Sequence, residues 1–182
     1  WAGDAQIFCP TACTLFDYAA FARKYERDLC DAQHKNGCFT QIAPVGGVDS
    51  YMNAMDGSAG WSDAGVLIPW DVYAAYGDRK ILEVNYDAMC RYARYKIGTL
   101  GKWYPTATPT GIGLKHGKDI SNYGQSYGEW AEPEDVKAFA ISEFVSPHPE
   151  ETTAYIVYLM EQMEKIAQLF EMPVDVLLDD YN

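Results

Sequence analysis

The stretch Gly60-Trp61-Ser62-Asp63-Ala64-Gly65-Val66-Leu67-Ile68-Pro69-Trp70, running on through Asp71 to Tyr76-Gly77-Asp78, decides the fold of this 182-residue chain. Ser62 or Asp63 is placed to cap a helix that extends through Tyr76, with Pro69 inside it as an early-turn or kink residue. Gly77-Asp78 ends that helix and starts another. From Arg79 to about Ile97, the positions Ile81, Leu82, Val84, Tyr86, Met89, Cys90, Tyr92, Ala93 and Ile97 recur at helical spacing. Two helices joined by Tyr76-Gly77-Asp78 make a tight αα-hairpin.

The same pattern extends outward from this hairpin. Toward the N-terminus, Leu15, Tyr18, Ala19, Ala22, Tyr25, Leu29 and Ala32 form a stripe that predicts one helix from Pro10 to about Gln33, with Arg23, Lys24, Glu26 and Arg27 mostly off it. Asn36-Gly37 stops it, and 39–60 reads as a long loop. A second long loop runs from Gly98 to Trp130 and holds seven of the fifteen glycines. Beyond it, Glu132-Pro133-Glu134-Asp135 opens a helix to about Phe144. Ser146-Pro147-His148-Pro149 then breaks the chain before a long helix striped by Ala154, Val157, Tyr158, Met160, Ile166, Ala167 and Phe170. Pro173 opens a short last helix to about Tyr181. No run has the period of two that marks a strand, so the class is all-α. Helical hairpins with long loops on one side describe part of a toroid better than a four-helix bundle, and place function at one rim.

Composition narrows the chemistry. Hydrophobic residues at 48% and charged residues at 22% describe one globular domain spanning residues 1–182. A formal charge of -12 leaves no basic surface for phosphates, so nucleic acid and anionic membrane are poor partners. No apolar run approaches the roughly 18 residues of a membrane span. Aromatic residues reach 14%, with 14 Tyr, 7 Phe and 5 Trp. Flat apolar faces beside carboxylates suit neutral sugars. Five cysteines, Cys9, Cys13, Cys30, Cys38 and Cys90, have no zinc-ligand spacing and read as small buried hydrophobes, with a Cys30–Cys38 bridge across Asn36-Gly37 as the alternative.

Several familiar chemistries lack their signatures. Gly111-Ile112-Gly113-Leu114-Lys115-His116-Gly117 lacks the spacing and the strand-to-helix context of a phosphate loop. His34, His116 and His148 are scattered, with no ordered Ser, His and Asp set, so a nucleophilic hydrolase is unsupported and the histidines' roles stay open. Neither a cofactor nor a metal is called for. What recurs is an acid beside a Trp near a loop-to-helix junction: Trp1-Ala2-Gly3-Asp4, Trp61-Ser62-Asp63 and Glu129-Trp130. An aromatic face and a carboxylate side by side are what a pyranose needs, one for its C–H surface and one for its hydroxyls. The competing reading gives Asp63 a capping role and the Trp residues a place in the core.

At these motifs the chain resembles the catalytic domain of bacterial α-L-rhamnosidases, glycoside hydrolase family 78. Trp1-Ala2-Gly3-Asp4-Ala5-Gln6 resembles the family's W-x-G-D-A-Q block. Gly60-Trp61-Ser62-Asp63-Ala64, with Pro69-Trp70 and Tyr76-Gly77-Asp78, resembles its G-W-x-D-A, P-W and Y-G-D block, and Gly128-Glu129-Trp130 its G-D/E-W element. The resemblance implies an (α/α)6 toroid and inverting hydrolysis of terminal α-L-rhamnose from an oligosaccharide or glycoside. It implies that Trp1 and Asp4 contact the sugar, that Trp61 and Trp130 wall the pocket, and that Asp63 and Glu129 accompany their motifs. The family's general acid lies just upstream of the W-x-G-D element and its base in a later block. Both are therefore expected outside these residues, and the chain is expected to be part of a larger catalytic domain, inactive alone. The alternative is a non-catalytic carbohydrate-binding helical domain.

Overall fold

A computed structural model describes residues 1–47, 55–102, 117–121 and 149–172. Five α-helices lie among them: α1 (Ala2–Leu15), α2 (Ala19–Ala32), α3 (Ala64–Tyr76), α4 (Arg79–Ile97) and α5 (Pro149–Leu169). The second long loop carries one 3-10 turn at Gly117–Asp119, and the described residues contain no strand. The helices expected from 132 to 144 and after Pro173 lie outside the described residues.

α3 organises the rest. Ala64 through Pro69 and Val72 are all buried, so the helix is apolar around most of its circumference. Such a helix is stable only when enclosed, and α3 packs against α1, α2, α4 and α5. α4 also meets α2 and α5. Gly65 makes the tightest of these approaches possible: a Cβ there would stand 2.3 Å from the Phe39 ring. Phe39 in turn meets Tyr92 of α4 with ring centroids 5.0 Å apart. Each fully buried side chain of this size stabilises by about 1.5–3 kcal/mol.

Packing corrects three details of the sequence reading. The single helix expected from Pro10 to Gln33 is two, because Phe16 adopts an extended backbone (φ -136°, ψ 162°) and α1 starts at Ala2. α1 buries the small residues Ala2, Gly3, Cys9 and Ala12, whereas α2 buries Ala22, Tyr25, Glu26 and Leu29. The chain turns between the two, and Leu15 is left exposed. Tyr76 of α3 pins the corner. Its hydroxyl accepts the Tyr18 N–H (3.1 Å) and lies at 3.1 and 3.0 Å from the carbonyls of Cys13 and Phe16.

The second correction concerns Glu26, which is fully buried although the sequence placed it off the stripe. The third concerns α5, whose buried face is Thr152, Ile156, Leu159, Gln162, Met163, Ile166 and Ala167, while Val157 and Tyr158 are exposed. Val84 of α4 is likewise exposed. On α4 and α5 the apolar residues outnumber the positions that face a neighbouring helix, and packing selects among them. All five cysteines are free thiols, so no Cys30–Cys38 bridge forms. Cys38 bonds the Phe39 carbonyl at 3.3 Å and Cys30 the Asn85 Oδ1 at 3.5 Å.

Two glycines of α3 should fail for different reasons. Gly65→Ala overpacks the Phe39 contact and should cost about 1–3 kcal/mol. Gly77 ends α3 at φ +67°, with open space around it, so Gly77→Ala meets only left-handed backbone strain of about 1–2 kcal/mol. In urea denaturation, adding Phe39→Leu should recover stability in the first variant and not in the second.

Candidate functional site

The N-terminal ends of α1, α3 and α5 meet at one rim. Trp61, half-buried just ahead of α3, lays its indole on Gly3 of α1: a Cβ on Gly3 would lie 2.7 Å from Trp61 Cδ2. Gly3 stands between Trp1, which is 52% exposed, and Asp4, also exposed. Two of the three Trp–acid motifs are thus brought together, and the residue that permits it has no side chain. Tyr155 of α5 reaches the same place, its hydroxyl 3.0 Å from where a Gly60 Cβ would stand. The start of α1 is tied down by Ala2, whose N–H donates to the Gln41 carbonyl (2.8 Å).

Asp63 stands at the head of α3 but makes no side-chain capping bond. It is fully buried, with Oδ2 accepting the Gly60 N–H (2.7 Å) and Oδ1 accepting the Tyr92 hydroxyl (2.8 Å). Both oxygens are occupied inside the protein, so what Asp63 delivers to the rim is the Gly60-Trp61 segment that it holds. Ser62, also expected as a cap, accepts the Gly57 N–H (2.8 Å) instead. The first turn of α3 is satisfied by backbone: Val66 and Leu67 donate to the Asp63 carbonyl (3.0 and 3.1 Å). Glu129, Trp130, His116 and His148 lie outside the described residues. His34 is paired with Asp56 (Nε2–Oδ2 2.7 Å), whose other oxygen accepts the Gln41 N–H (3.0 Å). That pair braces the segment bonded to the start of α1.

Several polar groups of the interior are unusual for their burial. Lys96 is fully buried and donates to the Gly57 carbonyl (3.2 Å). Glu26 has an oxygen, Oε2, with no hydrogen-bond partner, and burial holds its carboxyl well above the usual range. Asp71 of α3, near Cys9 and Tyr158, is pushed up to about 6 by burial. Burial likewise raises the thiols of Cys9, Cys30, Cys38 and Cys90, leaving none of the four as a ready thiolate nucleophile. The described residues contain no group of three or more His, Cys, Asp or Glu side chains that could hold a metal ion.

Sequence reasoning missed Tyr92, Lys96 and Tyr155. Tyr92 sat on an apolar stripe, where its ring accounts for the pattern and its hydroxyl leaves no trace. Gly3 did leave a signal, a glycine between a Trp and an Asp, but its partner Trp61 is 58 residues away.

Comparison with known proteins now decides the family. The sequence matches the family described as bacterial alpha-L-rhamnosidase 6 hairpin glycosidase domain over residues 1–179. The chain belongs to this family. The family's (α/α)6 fold accounts for the all-helical packing of the described residues. An alpha-L-rhamnosidase of Streptomyces avermitilis is 35% identical over 145 residues, which are 77% of this chain and 12% of that protein. One from Formosa agariphila is 29% identical over 133 residues, 73% of this chain and 12% of its own length. Among solved structures, the Streptomyces avermitilis alpha-L-rhamnosidase complexed with L-rhamnose superposes with a TM-score of 0.71 at 29% identity, covering 98% of this chain and 14% of that one. The alpha-L-rhamnosidase from Dictyoglumus thermophilum gives 0.72 at 27% identity, covering 97% and 17%. The chain therefore spans about an eighth of the length of these curated relatives.

Two outcomes follow from the geometry of the rim and of the acids of the interior. Gly3→Ala should displace the Trp61 indole, seen as a shift in tryptophan emission, and cost about 1–3 kcal/mol in unfolding free energy. Asp71 binds its proton more tightly in the folded chain than in the unfolded one, so its contribution to stability is complete below about pH 4 and lost as pH rises to about 6. Unfolding free energies measured across that window should fall less steeply in Asp71→Asn.

Proposed function

We propose that this chain is the sugar-facing part of a hydrolase domain that removes terminal α-L-rhamnose from oligosaccharides or glycosides with inversion of configuration. The observation that carries the reading is the Trp61 indole seated on Gly3, between the exposed Trp1 and Asp4. The aromatic faces pack on the ring C–H surface and the C6 methyl, and Asp4 accepts hydrogen bonds from ring hydroxyls. In this reading Trp130 is a further wall, Glu129 is a substrate-binding residue of the same motif, and Asp63 serves by holding Trp61. The L-rhamnose complex of the Streptomyces avermitilis relative supports the choice of sugar.

In this reading, residues 1–182 form part of one catalytic domain and the rest of that domain is their partner. Inverting hydrolysis needs a carboxylic acid to protonate the leaving oxygen and an opposed carboxylate to activate water, roughly 6.5–9.5 Å apart. Both lie outside these residues, and the chemistry calls for no cofactor.

The test is calorimetric titration of L-rhamnose into the chain, beside assay of a chromogenic α-L-rhamnoside. The chain should bind L-rhamnose and turn over no glycoside. Asp4→Asn and Trp61→Ala should each weaken binding about tenfold, the size of one lost charged hydrogen bond or one apolar face. Turnover abolished by Asp4→Asn would put the catalytic carboxyls inside the chain, and absence of rhamnose binding would sink the sugar reading.

A further inference from the structure

We infer that Tyr92, in the last turns of α4, is a positioning residue for Trp61, acting through Asp63. For its bearing on sugar binding, the inference rests on the reading of the rim as a rhamnose site.

The segment 57–63 that carries Trp61 is held by hydrogen bonds rather than by a helix or strand. Gly57 and Gly60 both adopt the left-handed region, at φ +89° and +74°, and no regular element runs through the segment. Its shape is set by hydrogen bonds. Within it, the Gly57 N–H donates to Ser62 Oγ, the Gly60 N–H to Asp63 Oδ2, and the Trp61 and Ser62 N–H groups to the Ser58 carbonyl. Two tie it to α4: Lys96 to the Gly57 carbonyl, and Tyr92 to Asp63. The second bears directly on the indole, because the same carboxyl that accepts the Tyr92 hydroxyl also fixes the Gly60 N–H, one residue before Trp61. Tyr92, Asp63 and Gly60 are buried, with Tyr92 and Asp63 fully so. Solvent therefore has no ready route to replace the bond.

Tyr92 is itself packed in the core, fully buried. Its ring lies between Phe39, at 5.0 Å, and Tyr95, at 6.0 Å between centroids. Phe39 is itself clasped by Gly65 of α3. The hydroxyl is held at a fixed point by the core, and Asp63 transmits that point to Gly60-Trp61. A purely space-filling role would require the ring alone. The 2.8 Å bond to a buried carboxyl gives the oxygen a job that the ring does not have. Without the hydroxyl, Asp63 Oδ1 loses this donor while still inside the protein, and the carboxyl relaxes toward the rim, taking Gly60 and the indole with it.

The test uses the whole 182-residue chain and reads the position of the indole directly. In the wild type, the Trp61 ring current should shift the Gly3 Hα protons in the NMR spectrum. In Tyr92→Phe, which keeps the ring and removes the hydroxyl, that shift should be lost while the resonances of Leu29 and Met163 stay in place. A folded Tyr92→Phe chain with the Gly3 signal unmoved would overturn the inference. A measurement on the wild type alone covers the case of a variant that does not fold. The Gly60 amide should exchange with solvent as slowly as those of Val66 and Leu67, and fast exchange would equally overturn the positioning role. In titrations with L-rhamnose, Tyr92→Phe should bind about tenfold more weakly, and should add no further loss in a Trp61→Ala background. If the wild type binds no rhamnose, the sugar reading fails while the Gly3 and Gly60 signals still decide whether Tyr92 positions Trp61.

Discussion

The enclosure of α3 is the constraint on which the rest of the structure depends. From Ala64 to Pro69 the helix offers no polar face to water, so four other helices must cover it. That requirement gathers α1, α2, α4 and α5 around it. It also brings the head of α3 to the rim already buried. A buried helix start must satisfy its own N–H groups. Here backbone carbonyls of Trp61 and Asp63 do so, with Ala64 donating to the first and Val66 and Leu67 to the second. The Asp63 side chain is thereby released from capping and becomes the link between the loop and α4.

Glycine sets the distances across these contacts. At Gly3 and Gly65 an aromatic ring lies where a Cβ would be, Trp61 in one case and Phe39 in the other. Both rings then lead to the same place, since Phe39 backs Tyr92 and Tyr92 bonds Asp63 beneath Trp61. The rim is therefore continuous with the core. Its aromatic surface is placed by packing from below, without a regular element to hold it.

Polar groups in the interior divide into those with partners and those without. Asp63, Tyr92 and Lys96 satisfy one another's neighbourhood through defined hydrogen bonds. Glu26 does not: one oxygen lacks a partner, and the other has only the Cys30 thiol at 3.9 Å. A carboxyl in that setting keeps its proton, because an ion in a poorly polarisable interior costs more than a neutral acid. Its burial between stripe residues Tyr25 and Leu29 of α2 is a cost that the apolar packing around it offsets.

By itself, the sequence determined the all-α class and the hairpin turning at Tyr76-Gly77-Asp78, and it singled out the Trp–acid motifs as the candidate site. Each of these is a local signal, a period, a turn or a short block, and the family resemblance in the sequence rests on the same blocks. Tertiary structure decided the rest. The break at Phe16 was hidden because the apolar spacing of α1 and α2 runs on across it, and only the different partners of the two helices force the turn. The same holds for Asp63, whose position before a helix reads as a cap, while its real partners are a glycine three residues back and a tyrosine on the next helix. The seating of Trp61 on Gly3 joins residues 58 apart in sequence. Periodicity reports which residues prefer to be buried, but which oxygen meets which hydroxyl depends on how separate helices are packed, and that information is not local.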